Sequence, residues 1–400
     1  MDTTKRWLLR GGEMENSIAW AMSGFQGDRN ARLAIASALA TRQLEINFPD
    51  IIPADNVWQF DALIHKANSV EIEGKIISIY AEGFRQLGKS RGEVPDFLIL
   101  GIGLMRSPLL SFDMKMNQAP LLSQAARLAF GNDIPVVFCN NAQRTWDDII
   151  IHPHYDVIVA PSYLPKTEDP RIIECFGIPH LVSQSTINNG MKKWEDRLAV
   201  FRDAEHVIAV LLGGPMWKNN SSTENIPFTE EQAREFGRQI RHFALEKNAE
   251  LLITNSHRTP PEASRAFMSQ VAGLRTFFYD WEKDGADGNP YFAFLGLAHT
   301  IVATGDSISM QFEAASTGKP LYIALPQGNS YPEQRSAMNT LISANFARSF
   351  NGKWQEWEIP PFPNYIQDTA SKIREKLIAG VSSRVNKKRE FIGLLNQVGP

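Results

Sequence analysis

The stretch Val302–Pro320, VATGDSISMQFEAASTGKP, decides how this chain is read. With Thr300-Ile301 before it, it opens apolar, then turns small and polar at Thr304-Gly305-Asp306-Ser307. A helical pattern follows through Met310, Phe312, Ala314 and Ala315, and Gly318-Lys319-Pro320 closes it before the apolar run Leu321–Leu325. Strand, tight loop, short helix, strand is the repeating unit of a parallel sheet, because parallel neighbours need a crossover between them. A helix N-terminus carries unpaired N–H groups and about half a positive charge. Gly305 lets a bound group approach the backbone, and Ser307 and Ser309 can cap the helix or donate to a phosphate oxygen. Glu313, further along the helix, is placed to accept from ribose hydroxyls. The same residues also make an ordinary N-cap, with Asp306 or Ser307 capping and Glu313 at the surface. Residue types alone leave these two readings level.

Working outward, the same unit recurs. Upstream, His206–Leu212 predicts a strand ending in Gly213-Gly214-Pro215, and Thr229-Glu230-Glu231-Gln232 an N-cap and first turn for a helix over Glu231–Lys247. Glu250–Thr254 and Thr276–Tyr279 read as strands, Thr259-Pro260-Pro261-Glu262 caps a helix, and Asn289-Pro290 starts another that runs to Ala298. Further back, strands are expected at 17–23, Phe97–Leu100, Ile134–Cys139 and Tyr155–Ala160, the last stopped by Pro161. Helices are expected at Asn30–Thr41, around Ala81–Leu87 and at Gln118–Phe130. Thr186–Gly190 is polar and turn-rich, with a helix after it over about Met191–Asp203. The pattern gives an α/β chain with three parts: residues 1–190, residues 205–363 and a mostly helical, basic segment at 364–400. The basic residues of that segment read as a solvated face, or more weakly as a face for anionic lipid.

Composition narrows the classes. At 400 residues the chain is too long for one ordinary core. A formal charge of -3 with no broadly basic domain gives no case for nucleic acid. Two cysteines, Cys139 and Cys175, exclude a disulfide scaffold and suit a reducing compartment. His152 and His154 flank Pro153 without further ligands, and Asp147-Asp148 are adjacent rather than spaced, so no metal site is expected. No run approaches the roughly 20 apolar residues of a membrane span, and Met1–Arg10 lacks a signal-peptide core. A cytoplasmic protein is expected, with peripheral membrane contact compatible.

In open parallel sheets ligands bind at the carboxyl ends of strands, so the turns there are the candidates. Paired glycines at Gly213-Gly214 permit close approach of a ligand or make a simple turn. Arg258, between a strand and a helix, either grips a diphosphate through its planar fork or lies solvated. In Gly24-Phe25-Gln26-Gly27-Asp28, Asp28 is the one residue able to act as a base, although a glycine turn with Asp28 capping the next helix explains it as well. Gly101-Ile102-Gly103 lacks the third glycine and the distant acid of a dinucleotide site, while the nearby Arg106 suits an anionic acceptor. A nucleophile elbow and a Walker A loop are absent.

Four segments then resemble the mitochondrial-fission ELM-type family, whose bacterial members are grouped with glycosyltransferases. They are Leu211–Pro215, Thr254–Pro260, Asn289-Pro290-Tyr291 and Thr304–Met310 continuing to Pro320, and in the first half Tyr155–Pro161 fits more loosely. Asp28 stands where that family often has His, and His299 where Asp is usual. The resemblance implies a GT-B-like architecture of two Rossmann-like domains facing a cleft. It implies a nucleoside-diphosphate sugar in the second domain, held by Gly213, Gly214, Arg258, Gly305, Ser307, Ser309 and Glu313, with neither metal nor cofactor. A glycan or lipid-linked acceptor would lie on the first domain beside Gly24, Gly27 and Arg106, with Asp28 as catalytic base. Two alternatives remain: a sugar-nucleotide epimerase or hydrolase on the same architecture, and a non-catalytic adaptor of the mitochondrial-fission type.

Overall fold

The computed structural model describes residues 17–22, 26–56, 59–60, 63, 70–101, 118–140, 153–218, 224–285 and 288–380. The chain divides into two compact units, His180–Pro363 and a first unit made of the residues up to Pro179 together with those from Asn364.

The first unit is built on β1 (Ile18–Met22), β2 (Arg42–Ile46), β3 (Phe97–Gly101), β4 (Val136–Cys139), β5 (Val157–Pro161) and β6 (Ile172–Cys175). They form one parallel sheet in the order β2-β1-β3-β4-β5-β6. β1, β3 and β4 are almost wholly apolar and buried, as strands covered on both faces must be. The helices Gln26–Leu39, Val70–Arg91 and Gln118–Phe130 connect them. Pro161 does not stop β5 but is its last residue, where the missing N–H costs little.

The second unit carries β7 (Val207–Leu211), β10 (Glu250–Thr254), β11 (Thr276–Tyr279), β12 (Thr300–Thr304), β13 (Leu321–Ala324) and β14 (Ala347–Ser349). A two-stranded ribbon of β8 (Met216–Trp217) and β9 (Asn225–Ile226) stands apart from that sheet. The large sheet is parallel throughout, in the order β11-β10-β7-β12-β13-β14. Numbered within the unit this is 3-2-1-4-5-6, the Rossmann order. One face packs on a core of Phe236, Phe243, Phe267 and Tyr322, with Trp354 stacked on Phe243 at 4.0 Å between centroids. Thr229 caps the helix Glu230–Leu245 in a capping box with Gln232, as its sequence predicts.

Two local differences from the sequence reading matter. Thr186–Gly190 is not a turn but part of the helix Gln184–Lys193, begun by a reciprocal Ser183–Thr186 capping box. Trp194 is its C-cap, so no helix continues to Asp203. Residues 365–380 are helical and pack on the first unit: Tyr365 donates to the carbonyl of Ile178, Arg374 to that of Ala38 and Lys376 to that of Pro170. Two of the cations expected on a solvated face are thus occupied by backbone carbonyls.

Candidate functional site

From β7 the chain moves outward to β10 and β11, then returns to the other side of β7 at β12 and continues to β13 and β14. The strand order reverses between β7 and β12, which makes their carboxyl ends the switch point of the sheet, the place where open parallel sheets bind ligands. The turn after β7 is Leu212-Gly213-Gly214, and the turn after β12 is Gly305-Asp306-Ser307.

These two turns are tied to each other. The Gly213 N–H donates to Thr304 Oγ1 at 2.7 Å, and that hydroxyl donates to Asp306 Oδ1 at 2.7 Å. Asp306 Oδ2 accepts from the Gly214 N–H at 3.1 Å and from Arg258 Nη2 at 2.8 Å. Thr259 Oγ1 donates to the Gly213 carbonyl at 2.6 Å, which joins the turn after β10 to the same network. A Cβ on Gly213 would stand 1.9 Å from Asp306 Oδ1, and one on Gly214 would stand 2.3 Å from the Arg258 carbonyl. Both glycines are therefore required by protein atoms, whatever a ligand adds.

The cap reading of Asp306 is corrected by this geometry. Its side chain is fully buried and bound to β7's turn and to Arg258, while Ser307 is the N-cap of the helix Ile308–Ala315 and makes no side-chain capping bond. Arg258 does not lie free in solvent either: its side chain is 29% exposed and its guanidinium is paired with Asp306. The pair is neutral, so the positive potential at the switch point comes chiefly from the helix N-terminus. Gly305 is fixed from both sides, its N–H to the Ala324 carbonyl at 2.8 Å and its carbonyl to Gln311 Nε2 at 3.0 Å. Its missing Cβ makes room for Leu325 Cδ2, which would otherwise lie at 2.5 Å. Gln311 is fully buried, and its Oε1 has no hydrogen-bond partner among the described residues.

Ser309 and Glu313 lie four residues apart and so share one helix face, about 6 Å apart along the axis. Ser309 is half-buried. Glu313 is not at the surface: it is 6% exposed and accepts from the Tyr291 hydroxyl at 2.7 Å. Burial first, and then the Glu313 carboxylate, push the Tyr291 phenol well above its ordinary range, so it stays a donor. Tyr291 begins the helix Tyr291–Leu297, and its own N–H is held by Asn289 Oδ1 at 2.9 Å. That helix lies very close to Gln184–Lys193. A Cβ on Gly296 would meet Met191 Sδ at 2.6 Å, and one on Gly190 would meet Phe292 Cβ at 2.8 Å. Lys319 Nζ donates to the carbonyls of Leu295 and Gly296, both at 2.6 Å, and closes its far end. Tyr291 and the two-faced role of Asp306 were missed by sequence reasoning. The Asn-Pro-Tyr segment was visible, but nothing in it points to an acid 22 residues on.

In the first unit the order reverses between β1 and β3. Gly27 and Asp28 follow β1, in the first turn of the helix Gln26–Leu39, which begins before Asp28 rather than at Asn30. Gly24 and Arg106 lie outside the described residues. A further residue stands at this switch point: Arg32, fully buried, donates through Nε to the Met22 carbonyl, and its Nη1 would lie 3.0 Å from a Cβ on Gly101. His299 precedes β12, at the opposite end of its sheet from the switch-point turns, and its Nδ1 accepts from the Val207 N–H at 3.0 Å. Cys139 is buried with its thiol pushed up to about 12, an inert group. Among the described residues no three His, Cys, Asp or Glu side chains gather as a metal site, and no helix is long and apolar enough to cross a membrane.

Two parallel-sheet units, one in Rossmann order with a helix N-terminus at its switch point that its N-cap side chain leaves unbonded, define a GT-B-like α/β protein. The sequence profile described as "Mitochondrial fission ELM1" matches residues 108–377, and the chain belongs to that family. It is 26% identical over 251 residues to the mitochondrial fission protein ELM1 of Arabidopsis thaliana, covering 58% of this chain and 55% of that protein. It is 34% identical over 143 residues to an uncharacterized protein of Rickettsia prowazekii (strain Madrid E), covering 36% of this chain and 38% of that one. The chain thus spans about half, or less, of the length of these curated relatives. Among solved structures, the UDP-GlcNAc 2-epimerase of Methanocaldococcus jannaschii is similar at a TM-score of 0.45 and 12% identity, over 90% of this chain and 91% of that one. MurG of Acinetobacter baumannii is similar at 0.40 and 13%, over 92% and 98%.

Proposed function

We propose that the second unit binds a nucleoside-diphosphate sugar at the β7–β12 switch point, and that the protein transfers the sugar to a glycan or lipid-linked acceptor of the cell envelope. The observation that carries this reading is the buried carboxylate of Glu313, on one helix face with Ser309, below a helix N-terminus that no side chain caps. The diphosphate sits on the N–H groups of Ile308–Ala315, with the Ser307 and Ser309 hydroxyls and the Gly213-Gly214 and Gly305 turns around it. Glu313 accepts from the ribose hydroxyls. Charge that develops on the leaving diphosphate is met by those N–H groups and, through the edge of its ion pair, by Arg258, which leaves a metal unnecessary to the scheme. Asp28, at the switch point of the first unit, takes the proton of the attacking acceptor hydroxyl. Gly24, Gly27 and Arg106 belong to the acceptor side. The compartment is the cytoplasm, with the acceptor drawing the protein to a membrane surface.

Two other readings of the same fold stay in play. The internal neutralisation of Arg258 by Asp306 suits a protein of the fission type that keeps the scaffold without turnover. An epimerase would use the same donor site with further carboxylates near the sugar.

Thermal shift with a panel of nucleoside diphosphates and their sugars tests the reading on the wild type and on Glu313→Ala and Ser309→Ala. A ligand at about 100 times its dissociation constant adds about 2.7 kcal/mol to the folded state. A shift in the wild type that both variants lose supports the donor site, and a flat response to millimolar ligand turns the reading to the scaffold.

A further inference from the structure

We infer that Tyr291 is a positioning residue for ribose recognition: its hydroxyl sets the Glu313 carboxylate so that the site selects a ribonucleoside diphosphate over its 2′-deoxy counterpart. The inference rests on the nucleotide reading of the β7–β12 switch point.

The argument starts from the cost of Glu313. Glu313 is only 6% exposed, so its charge is largely removed from water, and an apolar residue on this helix face would pack at no such penalty. The fold surrounds the carboxylate with devices that fix one donor against it. Asn289 Oδ1 holds the Tyr291 N–H, and Pro290 immediately before the helix narrows its backbone. Gly190 and Gly296 let the helix Tyr291–Leu297 seat against its neighbour, so the helix cannot slide without a collision. Lys319, beyond the end of the Glu313 helix, grips the Leu295 and Gly296 carbonyls. The two helices are therefore braced twice, once through Tyr291 and Glu313 and once through Lys319.

An ionised carboxylate is acceptor-only and has about four lone-pair sites. The phenol directs its proton at Oε2 and so fixes the plane of the group. A carboxylate held in one plane can receive two neighbouring hydroxyls together, which is what a ribose 2′,3′-diol presents and a 2′-deoxyribose does not. Phe at 291 would retain the ring and its packing and remove this direction alone.

The test uses the full chain and isothermal titration with UDP, GDP, ADP and CDP and their 2′-deoxy forms. The wild type is expected to prefer the ribo form of its best diphosphate by roughly tenfold, the worth of one hydrogen bond to a charged group. In Tyr291→Phe that preference should shrink to about threefold or less. Glu313→Gln, which keeps an oxygen for the phenol and removes the charge, should shrink it as well. If Tyr291→Phe melts earlier yet keeps the full ribo preference, Tyr291 is structural and the inference fails while the nucleotide site stands. An unchanged preference in Glu313→Gln overturns it in the same way, even were Tyr291→Phe not to fold. If none of the diphosphates binds the wild type, the nucleotide reading falls, and this inference with it.

Discussion

The two sheets solve the same problem with opposite charges. At the switch point of the second unit a carboxylate, Asp306, is fully buried and receives the Gly214 N–H, the Thr304 hydroxyl and Arg258. At that of the first unit a guanidinium, Arg32, is buried against the Met22 carbonyl. The carboxyl ends of parallel strands present carbonyl groups, so an arginine finds acceptors there directly. A carboxylate finds none and needs N–H donors brought to it, which the Gly213-Gly214 turn supplies. The second solution costs more and orders more: three turns become one hydrogen-bonded unit before any ligand arrives.

That contrast can be broken most sharply at Gly213. Gly213→Ala would drive a methyl group into the Asp306 carboxylate and separate it from its donors. A loss of about 3 kcal/mol is expected in urea unfolding, the scale for breaking a buried ion pair. An unchanged midpoint would mean that Asp306 is free to move, and the ordered switch point would be lost as an idea. The matching change in the first unit, Gly101→Ala, puts a methyl 2.9 Å from the Cys139 carbonyl and 3.0 Å from Arg32 Nη1. The contact with the carbonyl is too short to stand, but the overlap is far smaller than at Gly213, so a small backbone shift and about 1–2 kcal/mol are expected. A larger loss than at Gly213 would reverse the ranking of the two sites.

The smallest effect is in acid. Burial holds His180, at the start of the second unit, down at about 4 from its ordinary 6.5. The unfolded chain then binds the proton first, so stability is full above pH 6.5 and is lost as pH falls toward 4. Near pH 5.5 the loss is about 1 kcal/mol. Denaturant midpoints of His180→Phe should be flatter than wild type over this window, and parallel curves would remove His180 as the cause.

Much of this architecture is legible in the sequence, and the exceptions have physical reasons. The buried strands Phe97–Gly101 and Thr300–Thr304 are continuous apolar runs, which only a covered parallel strand requires. The edge strands β2 and β6 went unread because Arg42-Gln43-Leu44-Glu45-Ile46 and Ile172-Ile173-Glu174-Cys175 mix polar and apolar residues, as an edge strand is free to do. The helix Gln184–Lys193 contains no buried residue, so no apolar stripe announces it. At the site, the glycines, Arg258, Ser307, Ser309 and Glu313 stand out as residue types at strand ends. Their connections do not. Gly214 and Asp306 are 92 residues apart, and whether an acid caps its own helix or crosses to another turn is settled by tertiary approach alone.

The first unit is interrupted by the second, since it takes up the chain again at Asn364. On a ribosome the second unit is a continuous message. The first is not complete when its own sheet has been made. It waits through about 184 further residues for the helix that includes Tyr365 and Arg374. At about 5–20 residues per second that wait is roughly ten to forty seconds. During synthesis the first unit's sheet must therefore persist without the covering that residues 365–380 supply, or be shielded by something else, and that helix is the last of the unit's described elements to arrive.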